Sequence, residues 1–388
     1  MDHATSVLLG IFVVFVSAQV GSEIAQRLKL PSVVGQIAAG VIIGPSVLDW
    51  ARINEPLQVF AEIGAVLLLF AVGLETKVAE LKKVGGVALL VGTLGVAIPF
   101  LAGGAWALIS GFDTPQAMFV AAAFVATSAG ITAKVLQELG VLSRIESKVI
   151  LGAAIIDDIL AMLLLGVVTA LQGGNGIDFV SLLKMILQAL GFVALVMIIG
   201  RFVMKRSSGL MDAPMDAESP LVISLAICLG LAVAAAYTGL AAIIGAFLAG
   251  LILAETDHRK SLEIDTKPIL AFMVPYFFVT TGMQVDVQSL GSWPVIGSVA
   301  IVSLLAILSK LIGAGIGAKS LGTRSALIVG VGMIPRGEVG IIIASLGRQA
   351  GVFGNKTYAV IIAMSLITSI VAAPALKRLF RDKVEHST

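Results

Sequence analysis

The 388-residue sequence contains a single cysteine, Cys228, set inside an apolar run. One thiol excludes a disulfide framework and any cysteine-built metal cluster. Histidine is almost as scarce. His3, His258 and His386 all fall outside the apolar runs, which leaves histidine proton relays without support. Charged side chains make up 13% of the chain, about half the share of an ordinary soluble domain. No glycine-rich phosphate loop, zinc-ligand spacing, nucleophile–base constellation or basic nucleic-acid patch stands out. The expectation is a non-enzyme with no cofactor and no nucleic-acid partner.

What the chain does have is apolar length. It is 58% hydrophobic with 42 glycines, and its mean hydropathy is +1.05. Long apolar stretches alternate with short polar punctuation from end to end, the pattern of a polytopic helical protein in a lipid bilayer. Thirteen spans are expected, at 6–26, 33–48, 55–74, 84–109, 115–136, 147–171, 179–204, 219–236, 239–254, 268–283, 294–317, 325–349 and 357–376. The first lacks a basic flank and reads as a retained helix. The glycines sit within the spans, where close helix packing explains them. Lys and Arg gather on one side, among them Lys29, Lys83, Lys148, Lys205, Lys260, Lys319 and Lys377, while the other side carries little beyond Arg52, Arg348 and Lys356. The positive-inside rule then puts the N-terminus outside and the C-terminus in the cytoplasm. No soluble regulatory domain is expected after the last span.

Against this background Asp157-Asp158 is the most informative feature. Both carboxylates lie about 13–15 Å along their helix from Lys148, too deep to reach water by bending. Lys310 lies at a matching depth, about 13–14 Å from Lys319. Neighbours on a helix point about 100° apart, so the two aspartates cannot both face one partner. The economical arrangement pairs one with Lys310 and turns the other to a water-filled cavity. Two carboxyls on one helix suit an aspartic protease poorly, since that chemistry shares one site across a scissile bond. Arg336 and Glu338 could neutralise each other or the ends of a broken helix, and a structural role is favoured over ion binding. Glu23, Glu75 and Arg201 sit near span ends, where interfacial solvation explains them. Glu62 lies inside a span with no identifiable partner.

The chain also resembles itself. Val34-Gly35-Gln-Ile-Ala-Ala39-Gly40 matches Ile244-Gly245-Ala-Phe-Leu-Ala249-Gly250, and Leu69-Phe70-Ala-Val-Gly73 matches Phe278-Val279-Thr-Thr-Gly282. Both offsets are near 209–210 residues, pairing spans 1–6 with 8–13 in opposite directions and leaving span 7 as a connector. Span 12 carries Pro335, Arg336, Gly337 and Glu338 at mid-depth, where a continuous helix is not expected. Its repeat partner, span 5, has Thr127-Ser128-Ala-Gly130, a cluster able to support an unwound segment through side-chain hydrogen bonds. The expected fold is an all-α polytopic membrane protein with about 13 transmembrane helices, two inverted six-helix repeats and two crossing broken helices.

Several motifs in one order carry a family resemblance: Pro31-Ser-Val-Val-Gly35 with Gly44-Pro45, Phe70-Ala-Val-Gly73-Leu-Glu75, Ala126-Thr127-Ser128-Ala-Gly130 through Lys134 and Glu138 to Gly140, Ile156-Asp157-Asp158, the Lys310 helix, and Gly332-Met-Ile-Pro335-Arg336-Gly337-Glu338. Over nearly its whole length the chain resembles the bacterial monovalent cation:proton antiporters of the NapA type, in the wider NhaA-fold superfamily. The resemblance implies a homodimer in the inner membrane with a dimerisation domain at 1–83 and 219–291. A mobile transport domain would occupy 84–171 and 292–377, with a linker helix within 172–218 and a cytoplasmic tail at 378–388. It implies Asp158 as the main ion-binding carboxylate for transported Na+, Asp157 as the partner of Lys310, and Thr127 and Ser128 as residues of the crossing. Two aspartates imply electrogenic exchange of Na+, with Li+ as a second cargo, serving pH homeostasis. Potassium-efflux antiporters are the alternative within the superfamily, although those carry a C-terminal nucleotide-binding domain that this sequence does not show. A gated channel would need a continuous pore, and a solute symporter would need polar groups for a larger ligand. Both are disfavoured.

Overall fold

In the computed structural model, residues 3–172, 179–206, 219–349, 351–352 and 354–385 are described. Among them are sixteen α-helices, two short 3-10 turns and no strand. We number the helices α1 (His3–Arg27), α2 (Ser32–Ile43), α3 (Glu55–Leu74), α4 (Val78–Ile109), α5 (Thr114–Val125), α6 (Ala129–Glu138), α7 (Ile145–Gln172) and α8 (Phe179–Arg206) in the first half. The second half holds α9 (Ser219–Tyr237), α10 (Ala242–Leu253), α11 (Arg259–Asp265), α12 (Lys267–Met283), α13 (Trp293–Gly317), α14 (Thr323–Gly332), α15 (Glu338–Gln349) and α16 (Asn355–Glu385). Seven stretches among the described residues are long and apolar enough to cross a membrane, and many large apolar side chains, such as Phe12, Leu101 and Trp293, are exposed on the outer surface. The chain is a multi-pass membrane protein.

Local chemistry sets many of the boundaries. Asn54 caps α3 by accepting the Leu57 N–H at 3.0 Å, and Asp113 with Gln116 forms a reciprocal capping box at the start of α5. α2 stops at Ile43, short of the expected 48, because Gly44-Pro45 cannot continue a helix. α4 begins at Val78, before the expected 84, since residues 78–83 carry charge but contain no helix breaker. α16 likewise runs on to Glu385 through the segment expected to be a tail. The short polar helix α11 was not expected at all. Part of the expected linker, at 173–178 and 207–218, lies outside the described residues.

One group of helices packs backbone to backbone. A Cβ at Gly40 of α2 would press on the Val279 carbonyl of α12 and come within 3.0 Å of the Gly282 Cα. A Cβ at Gly73 of α3 would press on the Phe247 carbonyl of α10 and come within 2.9 Å of the Gly250 Cα. Only glycine permits such approach. α1, α2, α3, α9, α10 and α12 pack on one another in this way. α4 packs along α7 and α13, α5 against α15, and α14 and α16 against α13. The functional side chains gather in this second set of contacts.

Candidate ion-binding site

Two helices are interrupted. α5 ends at Val125 and α6 begins at Ala129, leaving residues 126–128 unwound, and α14 ends at Gly332 with α15 resuming at Glu338. The interruptions lie against each other. The Ser128 N–H donates to the Pro335 carbonyl at 2.7 Å, the Thr132 hydroxyl to the Gly332 carbonyl at 2.8 Å, and the Thr127 hydroxyl to the Met333 carbonyl at 3.4 Å. The Ser128 hydroxyl caps α6 by accepting the Ile131 N–H. A Cβ on Gly337 would meet the Ser128 Oγ at 2.5 Å, so the close approach requires a glycine there.

Breaking α5 leaves its last carbonyls without helical donors, and in a bilayer such groups must find partners within the protein. Two cations supply them. Arg336 Nε donates to the Phe124 carbonyl at 3.1 Å, with Nη2 on the same oxygen, and Lys310 Nζ donates to the Val125 carbonyl at 2.7 Å. Arg336 also reaches the Ile334 carbonyl at 3.2 Å. Positive side chains at the negative end of a half-helix are electrostatically favoured.

Lys310 has two more acceptors, Asp157 Oδ1 at 2.6 Å and the Gly95 carbonyl at 2.8 Å. The second exists for a definite reason. In an unbroken α-helix the Gly95 carbonyl would accept the N–H of residue 99, but that residue is Pro99, which has none. The freed oxygen takes Lys310 instead. Three acceptors match the three N–H bonds of an ammonium. Asp157 in turn accepts the Thr127 N–H on its other oxygen at 2.9 Å, joining α7 to the first interruption. Asp157 and Lys310 are both 0% exposed. Such a pair gains little net stability over apolar residues, yet losing one partner costs about 3–5 kcal/mol.

Asp158, one position on, points elsewhere, as the helical angle requires. It is buried and lines a small cavity of about 20 Å³, room for roughly one water, with Ala129 of α6, Leu69 of α3 and Ile243, Ile244 and Phe247 of α10. The adjacent carboxylates thus serve two surroundings: Asp157 the charge cluster, Asp158 a cavity facing α3 and α10. Among the described residues no group of three or more carboxylate, imidazole or thiol side chains converges. A small hard cation here would rely on carboxylate together with hydroxyl, carbonyl or water oxygens, a set suited to a weakly held monovalent ion. A second, wider cavity of about 800 Å³ is lined by Ser32, Gln36, Glu75, Lys134, Glu138 and Lys377 among others. Across it Glu138 accepts the Ser32 N–H at 3.0 Å, and Gln137 donates to Glu75 at 2.9 Å.

Asp157, Lys310, Thr127, Ser128, Pro335 and Arg336 therefore meet in one cluster, with Asp158 at its edge. Arg336 serves the end of α5. Glu338 opens α15, and its side chain lies outside the described residues. Glu62 is exposed and accepts a hydrogen bond from Gln58 at 3.2 Å, a neighbour one turn away that sequence reasoning overlooked. Also missed was Glu146, fully buried at the start of α7 and bonded by Ser325 of α14 at 2.6 Å.

The sodium/hydrogen exchanger transmembrane-domain model matches residues 11–382. The high-affinity Na+/H+ antiporter NhaS3 of Synechocystis is 35% identical, over 96% of this chain and 90% of that one. The Na+/H+-K+ antiporter GerN of Bacillus cereus is 34% identical over 96% of each. The solved structure of the sodium proton antiporter MjNhaP1 from Methanocaldococcus jannaschii shares the fold, with a TM-score of 0.68 at 18% identity over 98% of this chain and 99% of that one.

Proposed function

The chain belongs to the sodium/hydrogen exchanger family of cation/proton antiporters, and from that premise we propose that it exchanges Na+ for protons by alternating access at Asp158. The observation that carries the reading is the fully buried Asp157–Lys310 pair, wedged between two interrupted helices beside a second buried carboxylate. Intramembrane charge that cannot reach water marks an ion pathway.

Competition explains the coupling. Asp158 can offer oxygens to Na+ only when ionised, so proton and cation exclude each other at one site and are never carried together. Na+ binding would draw Asp157 from Lys310, letting the lysine release a further proton and making the cycle electrogenic. The glycine contacts support an inverted repeat. At the offset noted above, the contact of Gly40 with Gly282 corresponds to that of Gly250 with Gly73. On this reading thirteen crossings form two repeats of six around α8. The helices α1–α3, α9, α10 and α12 form a static scaffold, and α4–α7 with α13–α16 form the moving body. Scaffold helices α1 and α9 have the least buried apolar windows, which suits a homodimer interface in a bacterial inner membrane, with the N-terminus outside and the C-terminus in the cytoplasm.

Potassium is the second cargo to consider, because GerN, so similar over its whole length, is named for K+ as well as Na+. Reconstitution into liposomes with a trapped pH dye tests both readings. Added Na+ should collapse an imposed pH gradient, with Li+ and K+ added separately to rank selectivity. Absence of cation-dependent proton movement, or a passive cation current without it, would overturn the exchange reading.

A further inference from the structure

A third cavity, at the basic end of the bundle, plays no part in this exchange. It measures about 390 Å³, lies between the α1–α2 turn and the end of α16, and is lined by Lys29, Pro374, Lys377, Arg378 and Arg381. Four of its five lining residues are cations, and none is a carboxylate. Lys377 and Arg381 stand one turn apart on the same face of α16. Lys377 Nζ donates to the Lys29 carbonyl at 2.9 Å, fixing the turn against the helix.

Lys29 itself has a positive φ of 59°. It closes α1 in the left-handed position that glycine normally fills, with the Leu30 N–H on the Ala25 carbonyl at 2.8 Å and its own N–H on the Gln26 carbonyl at 2.9 Å. Topology alone requires basic residues at this end of the spans. It does not require them to converge on one cavity, nor a lysine in a conformation that glycine adopts without strain.

We propose that this cavity binds the phosphate-bearing headgroup of an anionic phospholipid. The apolar run of α16 ends at Leu376 and the cations follow it, so they stand where a bilayer places its phosphates. Arginine offers paired N–H donors to phosphate oxygens, and lysine adds point charge. An occupant would touch both the α1–α2 turn and α16. If the scaffold and moving body are as proposed above, the lipid bridges them and favours the arrangement seen here.

Melting of the full-length protein in detergent tests the site without requiring transport, so a failure of the exchange reading would leave the result standing. Dioleoylphosphatidylglycerol should raise the melting temperature, while dioleoylphosphatidylcholine and inorganic phosphate should not. Lys29→Gly and Arg381→Gln should each weaken the apparent affinity for phosphatidylglycerol about fivefold, and Lys319→Gln, on an exposed turn elsewhere, should leave it unchanged. Lys29→Gly also relieves the strained turn, so it should melt no lower than wild type without lipid, and its lost response cannot be misfolding. Equal shifts with phosphatidylcholine would overturn the proposal, as would a full shift from inorganic phosphate alone. So would wild-type affinity in the two pocket variants, or an equal loss in Lys319→Gln.

Discussion

Both sets of helices use glycine contacts, α4 with α13 included, but they treat their polar backbone in opposite ways. Around α2, α3, α10 and α12, polar backbone stays inside unbroken helices, and glycines bring those backbones into contact. Where α5 gives way to α6 and α14 to α15, helices are interrupted, and the freed carbonyls are taken by Lys310, Arg336 and hydroxyl groups. The first solution leaves nothing to titrate. The second makes the broken end of α5 depend on two charged side chains, Lys310 and Arg336. On the proposed function, small residues suit a surface to be moved against, and buried charge suits the part that carries an ion.

The largest expected effect separates chemistry from architecture. Asp158→Asn removes the charge a cation needs at nearly constant volume, so Na+-dependent proton flux should fall to that of empty vesicles while size and melting stay near wild type. Normal flux in that variant would end the assignment. Next, Lys310→Ala should destabilise the protein by about 3–5 kcal/mol, because Asp157 is left charged and buried without its cation. Adding Asp157→Asn should recover much of that loss, and a double-mutant cycle of melting temperatures measures the coupling.

Gly73→Ala probes the other set. Overpacking against α10 should cost roughly 1–3 kcal/mol with no change in the pH profile of whatever exchange remains. A shifted profile would mean that the two regions are not as separate as the contacts suggest. The smallest effect is expected from Pro99→Ala. Removing a proline from a helix interior can be worth about 3 kcal/mol. Here the restored N–H competes with Lys310 for the Gly95 carbonyl, so the gain in melting stability should fall well short of that and the pH profile of exchange should move.

Much of this site was legible in the residues. Matched depths announced that one of the two aspartates pairs with Lys310, the family resemblance named Asp157, and Pro335 with its glycine announced an interruption, because bilayer depth and missing donors act locally along the chain. The interruption at 126–128 had a weaker signal, since Thr127 and Ser128 occur in continuous helices too. Other features depend on which helices touch. Nothing around Pro99 tells that α13 brings Lys310 to the carbonyl it frees, and Ser32 meets Glu138 across 106 positions of sequence. Arg336 sits two residues from Glu338, yet its guanidinium goes to the end of α5, a partner that only the crossing of the interruptions creates.

The central claim is that Na+ and protons compete for one carboxylate site. The most direct measurement is the Na+ dependence of exchange in liposomes over a range of pH values. The account predicts an apparent KM for Na+ that rises as pH falls, approaching about tenfold per unit from the Asp158 proton alone and more steeply where Lys310 gives up its proton as well, with an unchanged maximal rate at saturating Na+. A constant KM with a falling maximal rate would place proton and cation at separate sites and contradict it.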